Sequence, residues 1–284
     1  MLNHLNLQKA KMKYQNSWKK FWQEKNKLVN KKNELDKLDW RIYQAEIVPK
    51  NLFPEEDKSA QGEEIVTVAG FSYIGSKFEK FVIGFTIPSI TAMMLNISHQ
   101  SWLEAENILE RHKPFKRGTN TALYIPEEKF KDFFNSMEKR MQSYIFACSA
   151  IEHFANMSIP ADYEYLKTNK AGEGFKVYKK VDIERYISLD KKLSIILPLI
   201  YKIESFVSEP LWQEYLQLKN VRDSLIHFKS KDFQPDGWPK VKSVWNDLVF
   251  AVKRNNPAII SKKIIGYYLT NSKNIPRWFT KCHF

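Results

Sequence analysis

Two residues in the second half of the sequence could act together on a phosphate group: Arg222 and His227. An imidazole, whose unperturbed pKa is about 6.5, can take or give a proton near neutral pH. A guanidinium can bind two phosphate oxygens at once while negative charge develops on them. Five residues of helix rise about 7.5 Å and rotate about 140°, so a long arginine side chain can reach toward the edge on which the histidine lies. The pair could therefore flank one phosphate.

The helix expected to carry this pair has an apolar face that Arg222 interrupts. The face consists of Leu211, Tyr215, Leu218 and Leu225. Pro210 suits the first position of the helix. A charged residue on a packing face is costly unless it has a partner or a function. The spacing of arginine and histidine is weak evidence when taken alone, because a salt bridge or a cap at a helix end explains the same two residues.

Other helices must position this one. Apolar residues at alternating steps of four and three predict a long helix from Phe130 to Ala155, which Pro160 ends. The same spacing predicts a helix from Leu189 to Val207, which Pro198 should kink or break.

The remaining segments of the second half are shorter or more polar. Residues 161–187 are expected to form an inserted loop or a small excursion, and Gln234 to Pro239 are expected to form a turn. Helices are expected over Val241 to Val252 and from Pro257 through Tyr268. The second half is thus predicted to be an α-helical bundle.

This arrangement resembles the HEPN family (higher eukaryotes and prokaryotes nucleotide-binding domains), whose mark is an Arg-polar-x-x-x-His motif on the third helix of a bundle. The arginine and histidine match that motif, and Asp223 supplies its polar residue, where asparagine is more usual. The likeness extends to Ser149 to Asn156 in the first helix and to Leu189 to Leu193 in the second. It covers about residues 129–271, half of the chain.

The resemblance implies a metal-independent endoribonuclease of a prokaryotic defence or toxin system, with Arg222 and His227 as its catalytic residues. It also implies that two protomers bring their motifs together across a dimer interface, and that cleavage needs no cofactor and forms a 2′,3′-cyclic phosphate. The expected interface is the helix from Leu211 to Phe228, with Leu218 or Leu225 in contact. A neutralising partner or a trigger encoded elsewhere fits this interpretation. The alternative is a catalytically inactive HEPN-like bundle that binds RNA or another protein.

Three residues are expected to support the catalytic pair: Asp223, Glu152 and Asn156. Glu152 and Asn156 lie one turn apart beside the apolar stripe of the first helix, so they could orient Arg222 or His227. The simpler interpretation is that both are solvated surface residues.

Charge divides the chain, whose net charge is +13, into three parts. Residues 1–50 carry +7 and have apolar residues at a helical spacing, which predicts a basic amphipathic arm. Residues 51–128 carry −4 and are expected to form an accessory or regulatory region with short strands. Residues 129–284 carry +10 and contain the predicted bundle. The protein is therefore predicted to be mainly α, with a small α+β accessory region and a polyanionic partner.

The basic arm could pack on the rest of the protein, form a coiled coil, or contact nucleic acid. Its apolar stripe consists of Tyr14, Trp18, Phe21, Leu28, Leu35 and Ile42. Lysines mixed with aromatic rings can bind single-stranded RNA through phosphate contacts and stacking. The candidate RNA contacts of this kind are Lys19, Lys20, Trp22, Arg277 and Trp278. Lysine side chains that lie over a core would explain the same composition.

Several classes of site are missing from the sequence. It contains neither GxxxxGK[ST] nor GxGxxG, which excludes a P-loop NTPase. Cys148 and Cys282 belong to no CxxC motif, so no zinc site or disulfide framework can be inferred, and a cytoplasmic location is expected. His153 follows Glu152 without an HExxH pattern, so we expect it to be structural and predict no metal site. No GxSxG motif marks a hydrolase triad.

One uncharged run, from Phe81 to Ser98, has the length of a short membrane span. Because it contains Gly84 and Pro88, a buried strand or core segment is the preferred interpretation, and no stable membrane insertion is expected. A membrane-proximal structural protein is a third, weaker hypothesis. The next segment, Ser101 to His112, is predicted to be a short helix.

Overall fold

The computed structural model describes residues 39–42, 44–49, 64–69, 71–75, 82–111, 115–116, 123–168, 174–227, 243–249, 256–270 and 275–284. It is mainly helical, with short two-stranded antiparallel sheets. The chain divides into two compact units. One comprises Met1–Ser89 with Pro276–Lys281, and the other comprises Ile90–Ile275 with Cys282–Phe284.

The first unit contains two antiparallel strand pairs. Strand β1 (Gln44–Pro49) pairs with β2 (Glu64–Ala69), and β3 (Phe71–Gly75) pairs with β4 (Val82–Thr86). These segments are rich in valine, isoleucine and threonine, whose branched side chains favour extended backbone. A short helix, Arg277–Thr280, belongs to the same unit.

The predicted basic arm ends in a strand. Residues 44–49 pair with β2, and Ile42, the last residue of the predicted apolar stripe, forms an isolated bridge with Pro88. The helical prediction is therefore wrong at this end of the arm, because its residues pair with strand partners far along the chain. The rest of the stripe, from Tyr14 to Leu35, lies outside the described residues. The strands expected after residue 64 are confirmed by β2, β3 and β4.

Helices make up most of the second unit. The labelled helices are α1 (Ile90–Arg111), α2 (Phe130–Met157), α3 (Lys180–Tyr186), α4 (Leu189–Lys191), α5 (Leu197–Tyr201), α6 (Pro210–Ile226), α7 (Val244–Val249) and α8 (Pro257–Leu269). Short 3-10 turns, Glu127–Lys129 and Phe206–Ser208, precede α2 and α6.

Two small antiparallel ladders complete the described part of this unit. The strand pairs are β5 (Phe115–Lys116) with β6 (Leu123–Tyr124), and β7 (Glu164–Thr168) with β8 (Phe175–Lys179). The polar stretch 161–187 was expected to be an inserted loop or excursion, and it forms the β7–β8 pair followed by α3. Its residues Tyr178, Ile183 and Ile187 form a small buried cluster with Ile159 and Ile196, which flank the stretch.

Helices α1 and α2 pack closely because small residues lie between them. Ser98 of α1 donates from Oγ to the carbonyl of Ser143 in α2 at 2.8 Å. Helix α8 joins the same core, where Ser261 donates from Oγ to the carbonyl of Ala147 at 3.0 Å. Contacts between a serine hydroxyl and a backbone carbonyl of another helix require the two helix axes to come close.

A fully buried arginine connects three of these helices. Arg140 of α2 donates to Glu106 of α1 at 2.6 Å and to the carbonyl of Leu248 in α7. Its guanidinium lies 5.5 Å from the ring centre of Trp102. Because a buried charge without its partner is strongly destabilising, these contacts hold α1, α2 and α7 in one arrangement.

Helix α1 begins at Ile90, well before the predicted start at Ser101. The uncharged run from Phe81 to Ser98 is thus shared between β4 and the first half of α1. Within the parts of the chain that the structure describes, every helix is too short or too polar to span a bilayer. Since α1 packs on α2, the structure groups residues from Ile90 onward with the helical core, whereas the sequence-based boundary lies at residue 128.

The periodic helices of the second half are confirmed as α2, α6 and α8. The buried members of the predicted α2 stripe are Met137, Tyr144, Cys148, Ile151 and Ala155. Phe130 and Phe134, at the start of that stripe, are exposed. Asn256 caps α8 by accepting a hydrogen bond from the backbone N–H of Ala258 at 2.9 Å.

The helix expected around Pro198 is interrupted, as predicted. A π-helical segment, Lys192–Ile196, separates α4 from α5, and the N–H of Leu197 donates to the carbonyl of Lys192. Proline has no N–H to continue the regular α-helical pattern, which explains an irregular turn at this point. Helix α5 ends at Tyr201, and the next residue, Lys202, has a φ of 56°, which lies in the left-handed region.

Candidate functional site

Helix α6 places Arg222 at the margin of its buried face. The buried residues of the helix are Tyr215, Leu218 and Val221. The predicted apolar stripe passed through position 222 and is wrong there, because Val221 continues the packing face and Arg222 lies beside it. The side chain of Arg222 is 25% exposed, so it can be reached from solvent while its stem contacts the core.

Two carboxylates hold the guanidinium of Arg222. Its Nη1 donates to Asp223 Oδ1 at 2.9 Å, and its Nη2 lies 3.8 Å from Glu152 Oε2 on α2. The structure thus brings together Arg222 and two of its predicted supporting residues. The contact with Glu152 is an ion pair at long range, so this partner is the easier one to displace.

Cys148 lies one turn before Glu152 on α2 and also faces Arg222. Burial raises the pKa of the Cys148 thiol to about 12, and the guanidinium of Arg222 acts in the opposite direction. The thiol therefore stays protonated at neutral pH. It is part of the packing behind Arg222 and is not a nucleophile.

His227 lies at the end of the same helix. Its backbone N–H donates to the carbonyl of Asp223 at 2.8 Å, and its side chain is exposed. Asp223 thus contacts both ends of the motif, since its carboxylate binds Arg222 while its carbonyl fixes the backbone of His227. The side chain of His227 is open to solvent.

Asn156 has a different partner from the one predicted. Its Oδ1 accepts a hydrogen bond from Lys192 Nζ at 2.8 Å, and the same ammonium donates to the carbonyl of Glu184 at 2.9 Å. The prediction that Asn156 orients Arg222 or His227 is therefore not supported. Burial lowers the pKa of Lys192, and the negative charges of Glu152 and Glu184 oppose that shift.

A second, half-buried polar contact connects α4 to α6. Tyr215 donates from its hydroxyl to Asp190 Oδ1 at 2.5 Å, and Lys219 Nζ lies 2.6 Å from Asp190 Oδ2. Burial alone would raise the pKa of Asp190, but the hydrogen bonds from Lys219 and Tyr215 hold that pKa below its ordinary value. This cluster fixes the helix that carries Arg222 against the helix that carries Asp190.

Sequence reasoning missed Lys192, Asp190 and Tyr215 as members of the polar network around the motif. Asp190 and Lys192 were noted only as part of a predicted helix and of its likeness to the HEPN family, and Tyr215 was assigned only to the apolar face of its own helix. One available signal was the spacing of Tyr215 and Lys219, which lie one turn apart and face the same carboxylate. The sequence around Lys192 contains no signal that this lysine is buried.

The candidate RNA contacts receive little support. Lys19, Lys20 and Trp22 lie outside the described residues. Trp278 is only 4% exposed, so its ring is not available to stack on a base, which corrects that prediction. Arg277 donates from Nη1 to the carbonyl of Asp39 at 3.0 Å and so has a structural contact.

His153 has the structural role expected of it. Its Nδ1 lies 2.9 Å from Thr91 Oγ1, which connects α2 to the start of α1. Burial lowers its pKa. The described residues contain no group of three or more histidine, cysteine, aspartate or glutamate side chains that could hold a metal ion.

The arrangement combines a partly exposed guanidinium, held by carboxylates, with an exposed imidazole at the end of the same helix. A guanidinium can bind an anion, and an imidazole can exchange a proton with a neighbouring group. The chain matches no family model, no curated protein and no solved structure.

Proposed function

We propose that this protein is a metal-independent endoribonuclease of HEPN type, with Arg222 and His227 as its catalytic residues. The supporting observation is the placement of Arg222, which is anchored by Asp223 and Glu152, remains partly exposed, and shares its helix with an exposed histidine. The packing of α2, α5, α6 and α8 is compatible with a HEPN-like bundle. A role in a prokaryotic defence or toxin system follows only from the resemblance.

The proposed reaction is an internal transesterification. His227 takes the proton of a ribose 2′-hydroxyl, and the 2′-oxygen attacks the adjacent phosphorus. Arg222 binds the non-bridging oxygens while charge builds on them. The bond between phosphorus and the 5′-oxygen then breaks, and the leaving oxygen receives a proton. The products are a 2′,3′-cyclic phosphate and a 5′-hydroxyl end.

We propose that attack and departure are concerted; one imidazole cannot then be both the base and the acid, so a second proton donor is needed. We propose that a second copy of this chain supplies it through its own His227, in protonated form. The contact would use the end of α6, where Ile226 is exposed beside the motif. The interface was expected to contain Leu218 or Leu225. Leu218 is 1% exposed and packs within its own chain, so the proposal keeps Leu225 and adds Ile226.

The dimer is tested by sedimentation at micromolar concentration. We expect Ile226→Glu to weaken the dimer, whereas the control Leu199→Glu, at an exposed leucine of α5, should not. This result would support a contact through the end of α6. A monomer that still cleaves RNA contradicts the composite site.

A catalytically inactive RNA-binding or protein-binding module is the second candidate. It is favoured by the carboxylates of Asp223 and Glu152, which neutralise the charge of Arg222 in this structure. Incubation of the purified protein with a mixed RNA pool in EDTA separates the two functions. A nuclease leaves 2′,3′-cyclic phosphate or 3′-phosphate ends, whereas an inactive module leaves the RNA intact even when it binds.

A further inference from the structure

We propose that strand β8 binds an extended acidic segment of another protein, which adds to the β7–β8 ribbon as a third strand. This proposal does not depend on the proposed function. It follows from three properties that the ribbon has among the described residues: exposed apolar side chains on its outer face, a strand edge without a strand partner, and two lysines without an acidic partner.

The outer face of the ribbon carries three exposed apolar residues beside the opposed pair Glu164 and Lys179. Leu166 and Val177 lie directly opposite each other in the antiparallel register, and Phe175 is two residues before Val177 on the same face. Their exposed fractions are 60%, 45% and 69%. The other face already packs on the protein through Tyr165 and Tyr178. Apolar side chains on both faces are typical of a ribbon that is covered on both sides.

The described residues also leave the outer edge of β8 without a strand partner. The ribbon has two strands of five residues, and no third described strand pairs with either of them. Each outer edge therefore presents backbone N–H and C=O groups that can pair with another chain. A two-stranded ribbon is marginally stable alone, so a third strand would stabilise it.

Charge identifies the kind of strand that fits. Lys167 lies directly opposite Lys176, a pair of like charges that destabilises a sheet. Among the described residues no carboxylate forms an ion pair with either ammonium, whereas nearby Lys180 pairs with Glu184 at 3.8 Å. Lys176 instead lies over the ring of Tyr178, with Nζ 4.9 Å from the ring centre. An acidic side chain on an added strand would neutralise this pair.

The alternation of side chains along β8 then determines which residue types should alternate in the added strand. Phe175 and Val177 point to the outer face and Lys176 to the other face, so a strand beside β8 should alternate apolar and acidic residues. A second copy of the ribbon fits poorly, because it would bring the same lysines together. RNA also fits poorly, since a nucleic acid does not pair with a strand edge, and Phe175 is the one aromatic ring that the described outer face offers for stacking.

The probe is a fluorescent peptide in which valine and glutamate alternate over about eight positions, the length of an ordinary strand. The control peptide has the same composition with its glutamates in one block. With the full-length protein, we expect the alternating peptide to bind at least about tenfold more tightly by fluorescence anisotropy. Its binding should also slow amide hydrogen exchange in Phe175–Lys179, because an added strand forms backbone hydrogen bonds there.

Charge reversal tests the lysines. The double variant Lys167→Glu with Lys176→Glu should lose binding of the glutamate peptide and gain binding of a peptide that alternates valine and lysine. This exchange of preference shows that the variant is folded. Lys131→Glu, at an exposed lysine of α2, should change neither affinity.

Three results would overturn the proposal. They are equal binding of the alternating and block peptides, unchanged hydrogen exchange in β8 when the peptide is bound, and no binding of the alternating peptide at millimolar concentration. If a single-stranded RNA oligonucleotide binds in a manner that depends on Lys167 and Lys176 while the peptide does not, the surface is a nucleic-acid contact and the proposal is wrong.

Discussion

At the scale of single residues, two carboxylates bind the guanidinium of Arg222, and a phosphate would have to compete with them for it. Asp223 is its close partner at 2.9 Å, and Glu152 is a distant one at 3.8 Å. A phosphate that approaches the guanidinium would compete with Glu152 first, because that contact is longer and more solvated. Glu152 is therefore expected to weaken substrate binding while it orients the free arginine.

The first prediction concerns this competition. Glu152→Gln removes one negative charge from the neighbourhood of Arg222 and keeps a side chain of the same length. We expect KM for RNA cleavage to fall by about fivefold or less, the range that a solvated ion pair allows. Glu138→Gln, at an exposed position on the same helix, should leave KM unchanged. A rise in KM for Glu152→Gln would mean that the carboxylate positions the arginine and does not compete with substrate.

The second prediction concerns His153 and pH. Burial lowers the pKa of His153 from the ordinary value of 6.5, so below pH 6.5 the unfolded chain binds more protons than the folded chain. The free energy of unfolding should therefore decrease as the pH falls from 6.5 toward the lowered pKa. His99 acts in the same direction, because burial and the charge of Lys262 lower its pKa.

His153→Gln removes one of these titrations and can keep the hydrogen bond to Thr91. Denaturant unfolding at pH values from about 7.5 to about 5 should show a shallower loss of stability than in the wild type. His283→Gln, at an exposed histidine, should follow the wild-type curve. An unchanged slope for His153→Gln would show that this histidine titrates equally in both states.

At the scale of elements, α6 is fixed by a polar contact in addition to its apolar face. Asp190 accepts hydrogen bonds from Tyr215 and Lys219, and both donors lie on α6. The third prediction is that Tyr215→Phe lowers the free energy of unfolding by about 1.5–3 kcal/mol, the range for a hydrogen bond to a charged group. Tyr186→Phe, at an exposed tyrosine, should change it by less than about 0.5 kcal/mol. Equal stability of the two variants would exclude this contact as a support of α6.

Helices with a continuous apolar face and a clear end signal could be predicted from the sequence. Helix α2 has the four-three spacing, α6 begins with Pro210, and α8 begins with the pair Asn256-Pro257. Helix α1 was predicted only in its second half. Its first half has no charged residues and follows Gly84 and Pro88, a composition that strands and buried helices share.

The β7–β8 ribbon could not be predicted from its pattern because apolar residues occur on both of its faces. A strand with one buried face alternates apolar and polar residues, and that signal is absent here. For the site, the spacing of Arg222 and His227 was visible in the sequence. The contacts of Lys192 with Asn156 and of Asp190 with Tyr215 were not visible. Each of them joins residues of different helical segments and depends on how those segments pack.

At the scale of the whole molecule, positive charge is concentrated in the two ends of the sequence. Residues 1–50 carry +7 and residues 129–284 carry +10, while the segment between them carries −4. Phosphate contacts dominate non-specific binding to nucleic acid and make it sensitive to salt. The basic ends are therefore expected to supply most of the affinity for RNA, whichever of the two proposed functions is correct.

The fourth prediction tests the contribution of the first end. Lys19→Gln with Lys20→Gln should make the dependence of log K on log salt shallower by about 0.7 for each lysine that contacts a phosphate of single-stranded RNA. The control is Lys131→Gln, at an exposed lysine of α2. If the double variant and the control both keep the wild-type slope, these two lysines do not contact RNA, and the second half of the chain must bind it.

The most direct test of the central claim is the rate of RNA cleavage in EDTA under single-turnover conditions. His227→Ala should lower this rate by at least about 100-fold, since it removes the proposed base. Arg222→Lys should also fail, because lysine replaces a planar, two-pronged donor with a point charge. His283→Ala should cleave at the wild-type rate, and all three variants should unfold within about 1–2 kcal/mol of the wild type. Cleavage by His227→Ala at the wild-type rate would contradict the assignment of the active site.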